Sequence, residues 1–459
     1  MFDPIHFPRC SLARFLRTGV AVITLFTALP AITQSRDLAA PGDFKGRMLV
    51  SISDADMVAS AYVNGQLGPR ENSDSLSLIP LGRHLRDLKA VEVPVSNSVA
   101  GPPVALAVTP DGRYAIVVET FTPRPSDERS EHAFRDLRHG RTLTVIDLVD
   151  SAKPVIVQRV EGLERPDSVS VSPDGRLVAI SVNPLGSGKD QPIVFYPFAN
   201  GRLGEPVMPR IPDWTPGDRL IHAEFHPTKR MLGLVNETKA EVFFVHLHGD
   251  GRNLTLTVHG NKVEVEKAPY MMRFTPDGRH AIINGLYWGA DVQGIWNEAP
   301  RGSVVSVRLD AGSAADGSPR HAFVSRAHTG VSPEGLAVSP DGTMVATTNL
   351  ERSYLPYDDA RQTFFSSVTL MRLDPEMGAL TRVADFAYDG ILPEAAAFDA
   401  SSRYLAVATY DHFDDRRRGG SIDFWRIGRD PLDPARIELV KTEHSVPVTR
   451  GVHSMVLIK

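Results

Sequence analysis

One turn, repeated six times at near-constant spacing, constrains this chain more than any other feature. The copies read PPVALAVTPDGRYAIVVE, RPDSVSVSPDGRLVAISVN, LIHAEFHPTKRMLGLVNE, PYMMRFTPDGRHAIINGL, PEGLAVSPDGTMVATTNLE and PEAAAFDASSRYLAVATYD. Their turn positions are Pro110, Pro173, Pro227, Pro276, Pro340 and Ala400, separated by 63, 54, 49, 64 and 60 residues. A recurring period of that size signals a repeat architecture.

Each copy predicts a β-hairpin. Proline suits the first central position of a type I turn, aspartate follows, and glycine takes the left-handed conformation that closes it, while alternating Val, Leu and Ile make strands on both sides. A third strand follows every hairpin: RTLTVIDL, PIVFYPF, AEVFFVHLH, GSVVSVRLD, SSVTLMRLD and GSIDFWRIG. Fourth strands include PVIVQRV, HAFVSRAH, LTRVADFAY and IELVKTEHS. Four antiparallel strands per unit is a propeller blade.

The chain ends supply a seventh unit. RGVHSMVLI matches RLIHAEF with His453 over His222, so the last residues read as an innermost strand without its hairpin partner. RMLVSISDAD, SLSLIPLG and KAVEVPVS, near the other end, read as the second, third and fourth strands of that blade. The expected architecture is all-β: a seven-bladed β-propeller of four-stranded antiparallel blades over residues 47–459, closed by N- and C-terminal strands in one blade. Closure removes open sheet edges.

Residues 1–35 belong to transport. Arg9, Arg14 and Arg17 precede an apolar stretch from Val20 to Ala31, too short to span a bilayer as a helix, as in a secretory signal peptide. Residues 36–46 read as a linker, and the location expected is periplasmic or secreted. The sole cysteine, Cys10, lies in the leader, so the mature chain has no internal disulfide and no thiol nucleophile. Removing three Arg and one Asp with the leader takes the formal charge from −5 to −7. Nucleic acid is not an expected partner, since no basic stripe interleaves with aromatics. No other apolar run reaches membrane-spanning length, and a monomer is expected.

The repeated xPxxxAVSPDGRxxAVxN hairpin behind a signal peptide resembles the YVTN/lactonase-like seven-bladed β-propeller superfamily. That resemblance implies the propeller fold along nearly the whole mature chain. It leaves function open, because the superfamily includes lactone-processing enzymes and non-catalytic surface and periplasmic proteins. Lactone-processing members use His, Glu and Arg at the channel mouth, and His222, Glu334, Glu394, Arg219 and Arg450 are the matching types here.

Motifs of the metalloprotease, serine-hydrolase, P-loop and EF-hand kinds are absent, so the position of residues around the channel must carry the reading. Six residues before each turn stand Val104, Asp167, Ile221, Tyr270, Glu334, Glu394 and Val452; five before it stand Ala105, Ser168, His222, Met271, Gly335, Ala395 and His453. The second strands return to the same face with Glu119, Asn183, Asn236, Glu237, Asn284, Asn349, Glu351 and Asp411. Long loops at 121–140, 286–301, 351–365 and 411–420 decorate that rim, where binding and catalysis usually sit.

The catalytic candidates are therefore His222, Glu334, Glu394, His453, Arg219 and Arg450. Glu119, Asp167, Asn183, Glu237, Tyr270, Asn284, Asn349, Glu351 and Asp411 are the ligand-binding candidates. Each also has an ordinary role: channel carboxylates bond backbone amides, histidines pack, strand-end asparagines form turns, and Trp288, Trp296 and Tyr354 anchor loops. Two functions follow as expectations: an exported propeller binding a small molecule or partner protein at its decorated face, or a lactonase-type hydrolase. No cofactor is fixed; a divalent cation such as Ca²⁺ at the channel mouth is the one that acidic, Asn and His ligands would suit.

Overall fold

The computed structural model describes residues 44–97, 102–124, 137–287, 301–414, 416–417, 419–430, 432–433 and 436–459. Residues 1–35, read from the sequence as a leader, and Trp288 and Trp296 lie outside the described residues. Seven four-stranded antiparallel sheets follow one another along the chain, as the turn repeat predicts. Blade 1 comprises Met48–Ser53, Ser75–Pro80 and Val91–Pro94, with Val452–Ile458 as its innermost strand. Blades 2 to 7 begin with inner strands Leu106–Val108, Pro166–Val171, Leu220–Phe225, Pro269–Phe274, Pro333–Val338 and Gly390–Phe398. The ring is a seven-bladed β-propeller.

The recurrent turn explains itself chemically. Thr109, Ser172, Thr275 and Ser339 each donate a side-chain hydroxyl to the aspartate two residues on, at 2.5–2.6 Å. The same carboxylates accept the N–H of the residue after the glycine. Gly112, Gly175, Gly278 and Gly342 hold φ between 65° and 71°, which a Cβ would disfavour. Against the cost of its partial burial, this net of donors brings Asp277 down to about 2.

The core lies between neighbouring blades. Ala179, Ile193 and Phe195 of blade 3 meet Leu232, Phe243 and Val245 of blade 4 in one buried cluster. Each such side chain contributes roughly 1.5–3 kcal/mol on burial. The ring closes by direct pairing of its ends: Met48 opposite Ile458, Leu49 opposite Leu457 and Val50 opposite Val456. Among the described residues no helix is long and apolar enough to cross a membrane.

Candidate active site at the channel mouth

Six of the seven inner strands come into their sheets out of step; blade 2 alone, Leu106–Val108, pairs with its neighbour without a shift. In blade 3 the ladder pairs Pro166 with Val182 and then Ser168 with Ser181, passing over Asp167. Blades 4, 6 and 7 pass over Ile221, Glu334 and Glu394 in the same way. Blade 5 passes over Tyr270 and Met271, and blade 1 over His453. A residue left out of the ladder is a β-bulge, which bends the strand and re-aims its side chain. Four of these positions carry an acid or a phenol, at the end of the channel opposite the turns.

Two electrostatic groups result. The first is saturated with opposite charge: Arg219 Nε donates to Asp167 Oδ2 at 2.9 Å, and Arg219 Nη1 donates to Glu237 Oε2 at 3.1 Å. Asn183 Nδ2 donates to both Asp167 oxygens, at 3.1 and 3.0 Å. Burial works against the Arg219 charge, yet the two carboxylates hold its pKa above the ordinary value.

In the second group no guanidinium among the described residues pairs with either carboxyl, although Arg219 and Arg450 lie within electrostatic reach of Tyr270 and Tyr410. Glu334 and Glu394 are 7% and 2% exposed. Burial pushes the Glu334 carboxyl up to about 8, opposed by the Tyr270 hydroxyl that donates to its Oε1 at 3.2 Å. Burial also raises Glu394 well above the carboxylate range, and the neighbouring charges of Glu334 and Asp54 add to it. Tyr62 and Tyr410, both raised by burial, lie within electrostatic reach of Glu394 and Asp54. Burial and mutual repulsion thus favour the protonated form at this pair, the arrangement from which an acid and a base can be assigned.

Several second-strand residues stitch rather than face a ligand. Asn284 Nδ2 donates to the carbonyls of Pro333 and Glu334 at 2.7 and 3.0 Å, fixing the neighbouring bulge. Asn349 donates to Ser367 and Thr369, and Glu351 accepts from Ser367. Glu119 accepts from Ser96 and from the N–H groups of Arg141 and Thr142. Asp411 accepts the N–H of His412. Arg450 Nη2 donates to the carbonyls of Ala55 and Pro69, and its Nε lies 3.7 Å from Glu71.

The two histidines do not join the carboxyl pair. His222 Nδ1 accepts the N–H of Met272 at 3.0 Å, and its Nε2 lies 3.5 Å from Glu224. Glu224 in turn pairs with Arg273 at 3.2 Å. Because the ladder skips Ile221, His222 resumes pairing and is turned toward blade 5. Glu224 and Arg273 line a separate cavity of about 430 Å³ at the turn end of the channel. His453 bonds Asn97 and Ser454, and complete burial lowers its pKa to about 3.

Asp54, Asp56 and Asp74 form an acidic group absent from the sequence expectations, with carboxylate oxygens within 4.8 Å of one another. Asp74 accepts the N–H groups of Ala55 and Asn97, and Arg70 lies 3.3 Å from Asp56. Burial raises Asp74 well above its ordinary range, with Asp54 and Asp56 adding to it. The signal was present: DAD ends the blade 1 strand where other blades place Asn, Glu or, in blade 7, Asp411.

Comparison with known proteins matches neither a protein-family model nor a curated protein. Solved structures do match. A putative 6-phosphogluconolactonase of Bacteroides fragilis is 15% identical, with 92% of this chain and 99% of that one covered and a TM-score of 0.56. A periplasmic gluconolactonase of Pseudomonas aeruginosa is 17% identical, covering 90% and 99%, with a TM-score of 0.55. A functionally unknown protein of Desulfotomaculum acetoxidans is 14% identical, covering 89% and 98%, at 0.55.

Proposed function

The fold is that of the lactonase-like seven-bladed β-propellers, and we propose that the chain is an exported hydrolase opening an uncharged lactone at the channel mouth. One observation carries this reading: Glu334 and Glu394 are buried within electrostatic reach of each other, paired with no cation among the described residues, and the Tyr270 hydroxyl donates to Glu334. Two structural neighbours with lactonase names support the substrate class.

In this reading Glu334 is the general base, because Tyr270 stabilises its ionised form, and Glu394, pressed by two acidic neighbours, is the general acid. Glu334 takes a proton from water as its oxygen attacks the carbonyl carbon. The ring C–O bond breaks, the departing oxygen takes the Glu394 proton, and a hydroxy acid leaves. An uncharged substrate is favoured because Arg219 and Arg450 are already engaged and the remaining acids repel anions.

The test is hydrolysis of gluconolactone and its 6-phosphorylated analogue by the mature protein, wild type and Glu334→Gln. Turnover of the unphosphorylated lactone, lost in Glu334→Gln, is expected. Saturable binding without turnover leaves a ligand-binding propeller instead, and preference for the phosphorylated compound overturns the choice of substrate. Activity lost to chelator and restored by Ca²⁺ would assign carbonyl polarisation to a cation at the mouth.

A further inference from the structure

Opposite the decorated mouth, on the face where the turns lie, blades 3 and 4 leave a cavity of about 450 Å³ between them. Its floor is apolar, lined by Leu177, Pro197, Phe225, Leu247 and Leu254. Phe225, Leu247 and Leu254 are buried members of the cluster that joins the two blades, so the floor is packed core. We propose that this cavity binds a monocarboxylate with an aromatic or medium-chain apolar body, its head group held by Arg176 and its body lying on that floor.

One position in the sequence frees the anchor. In blades 2, 4 and 5 the arginine that follows the turn finds a carboxylate: Arg113 reaches Asp147 at 3.3 Å, Arg230 reaches Asp250 at 2.5 Å and Arg279 reaches Glu376 at 2.8 Å. Arg176 holds the same place in blade 3. Among the described residues its guanidinium makes no ion pair or hydrogen bond, and its one bonded donor is the backbone N–H, held by Asp174 at 3.1 Å.

The reason lies on the neighbouring strand. The Arg113 carbonyl accepts the N–H of Leu148 and the Arg176 carbonyl accepts the N–H of Phe198, so Asp147 of blade 2 and Pro197 of blade 3 are equivalent positions. Where blade 2 has the acid, blade 3 has a proline that lines the cavity. A single exchange supplies both the free cation and part of the floor.

The turn aspartate does not answer that cation. Asp174 Oδ1 accepts the Ser172 hydroxyl at 2.6 Å together with the Arg176 N–H, as Asp111 does in blade 2, where Arg113 still reaches for Asp147. Blade 4 brings two further cations to the rim, because its turn departs from the repeat. There His226 Nδ1 accepts the N–H groups of Thr228 and Lys229 at 3.1 and 3.0 Å, the task that hydroxyl and carboxylate perform elsewhere. Lys229 and Arg230 are already paired, with Asp310 and Asp250, which leaves Arg176 as the rim charge open to a ligand.

These features select the ligand class. A cavity of this size with an apolar lining and few polar groups suits a small molecule, and a guanidinium fork matches a carboxylate through two parallel N–H donors. One open cation, with Asp174 and Asp250 on the same rim, suits a single negative charge better than a phosphate dianion. The site stands apart from the channel mouth, and its occupancy does not depend on turnover there.

The full-length mature protein is titrated by calorimetry with octanoate below micelle-forming concentrations, with octanol and octylamine as head-group controls. One saturable equivalent of octanoate is expected, weakened about tenfold in Arg176→Gln. Octanol, which lacks the charge, should bind Arg176→Gln and wild type alike, and octylamine should bind more weakly than octanoate. Pro197→Asp gives blade 3 the acid that blade 2 carries, so it engages Arg176 from within and weakens octanoate with the arginine still in place. Absence of saturable octanoate binding to the wild type overturns the site, whether or not the variants fold. So does octylamine bound as tightly as octanoate, or octanoate affinity unchanged in both variants.

Discussion

Asp167 in blade 3 and Glu334 in blade 6 occupy equivalent bulges, both buried, and end in opposite electrostatic states. Eight residues before the next turn position, blade 4 supplies Arg219 to Asp167, whereas blade 7 has Leu392 at the matching place. Blade 1 does carry an arginine there, Arg450, but its guanidinium is drawn to the Ala55 and Pro69 carbonyls. The propeller repeats a socket; the residue entering the next blade decides whether an acid in it meets a cation or is left without one.

The comparison breaks most sharply at Glu334. Glu334→Gln keeps the shape and removes the proposed base, so kcat on gluconolactone is expected to drop 10²- to 10⁴-fold, read in steady-state kinetics. A fall below tenfold would mean the unpaired half is not the reacting one. In the paired half the loss is of stability: Arg219→Met leaves two carboxylates beside it without their cation, costing about 3–5 kcal/mol in denaturant unfolding. Activity per folded molecule should change little.

Leu392→Arg imports the missing cation. A guanidinium there stabilises ionised Glu334, so the pH–rate profile, expected to rise toward a plateau above about 8 in the wild type, shifts to lower pH. An unshifted profile in the folded variant would show that the pairing of halves by register is wrong.

The smallest effect is on stability against pH. Glu334 keeps its proton in the folded state to about 8, while the unfolded carboxyl loses it near its ordinary value of 4.5. Between these the folded state binds more protons, so Glu334 makes stability fall as pH rises through that window and level off above it. The Tm of Glu334→Gln should decline less over this range, exceeding wild type by a few degrees at pH 8.

Much of this was legible in the residues. The Ser/Thr-Pro-Asp-Gly turns announced the hairpins because hydroxyl, carboxylate and glycine each perform a local task, and the match of RGVHSMVLI to RLIHAEF announced the closure. Glu334, Glu394, Asp167 and Tyr270 were found by counting back from the turn. His222 was not separable from Ile221 by counting, because a bulge shifts strand parity and leaves no mark in composition. Nor could the sequence reveal that Arg450 is diverted, since its acceptors are carbonyls nearly the whole chain away; Tyr410, bonded through its hydroxyl to the Met57 carbonyl, was missed for the same reason.

The seam between Met48–Ser53 and Val452–Ile458 also sets an order of events. Joining points roughly 400 residues apart in a flexible chain costs about 5 kcal/mol in loop entropy, whereas each hairpin closes over a few residues. Assembly from neighbour to neighbour avoids most of that cost, so the ring is expected to close last. Its reversal, with blade 1 releasing its inner strand, would expose the adjoining faces of blades 7 and 2, and faster amide exchange in Val452–Ile458 than in the other inner strands is the expected sign.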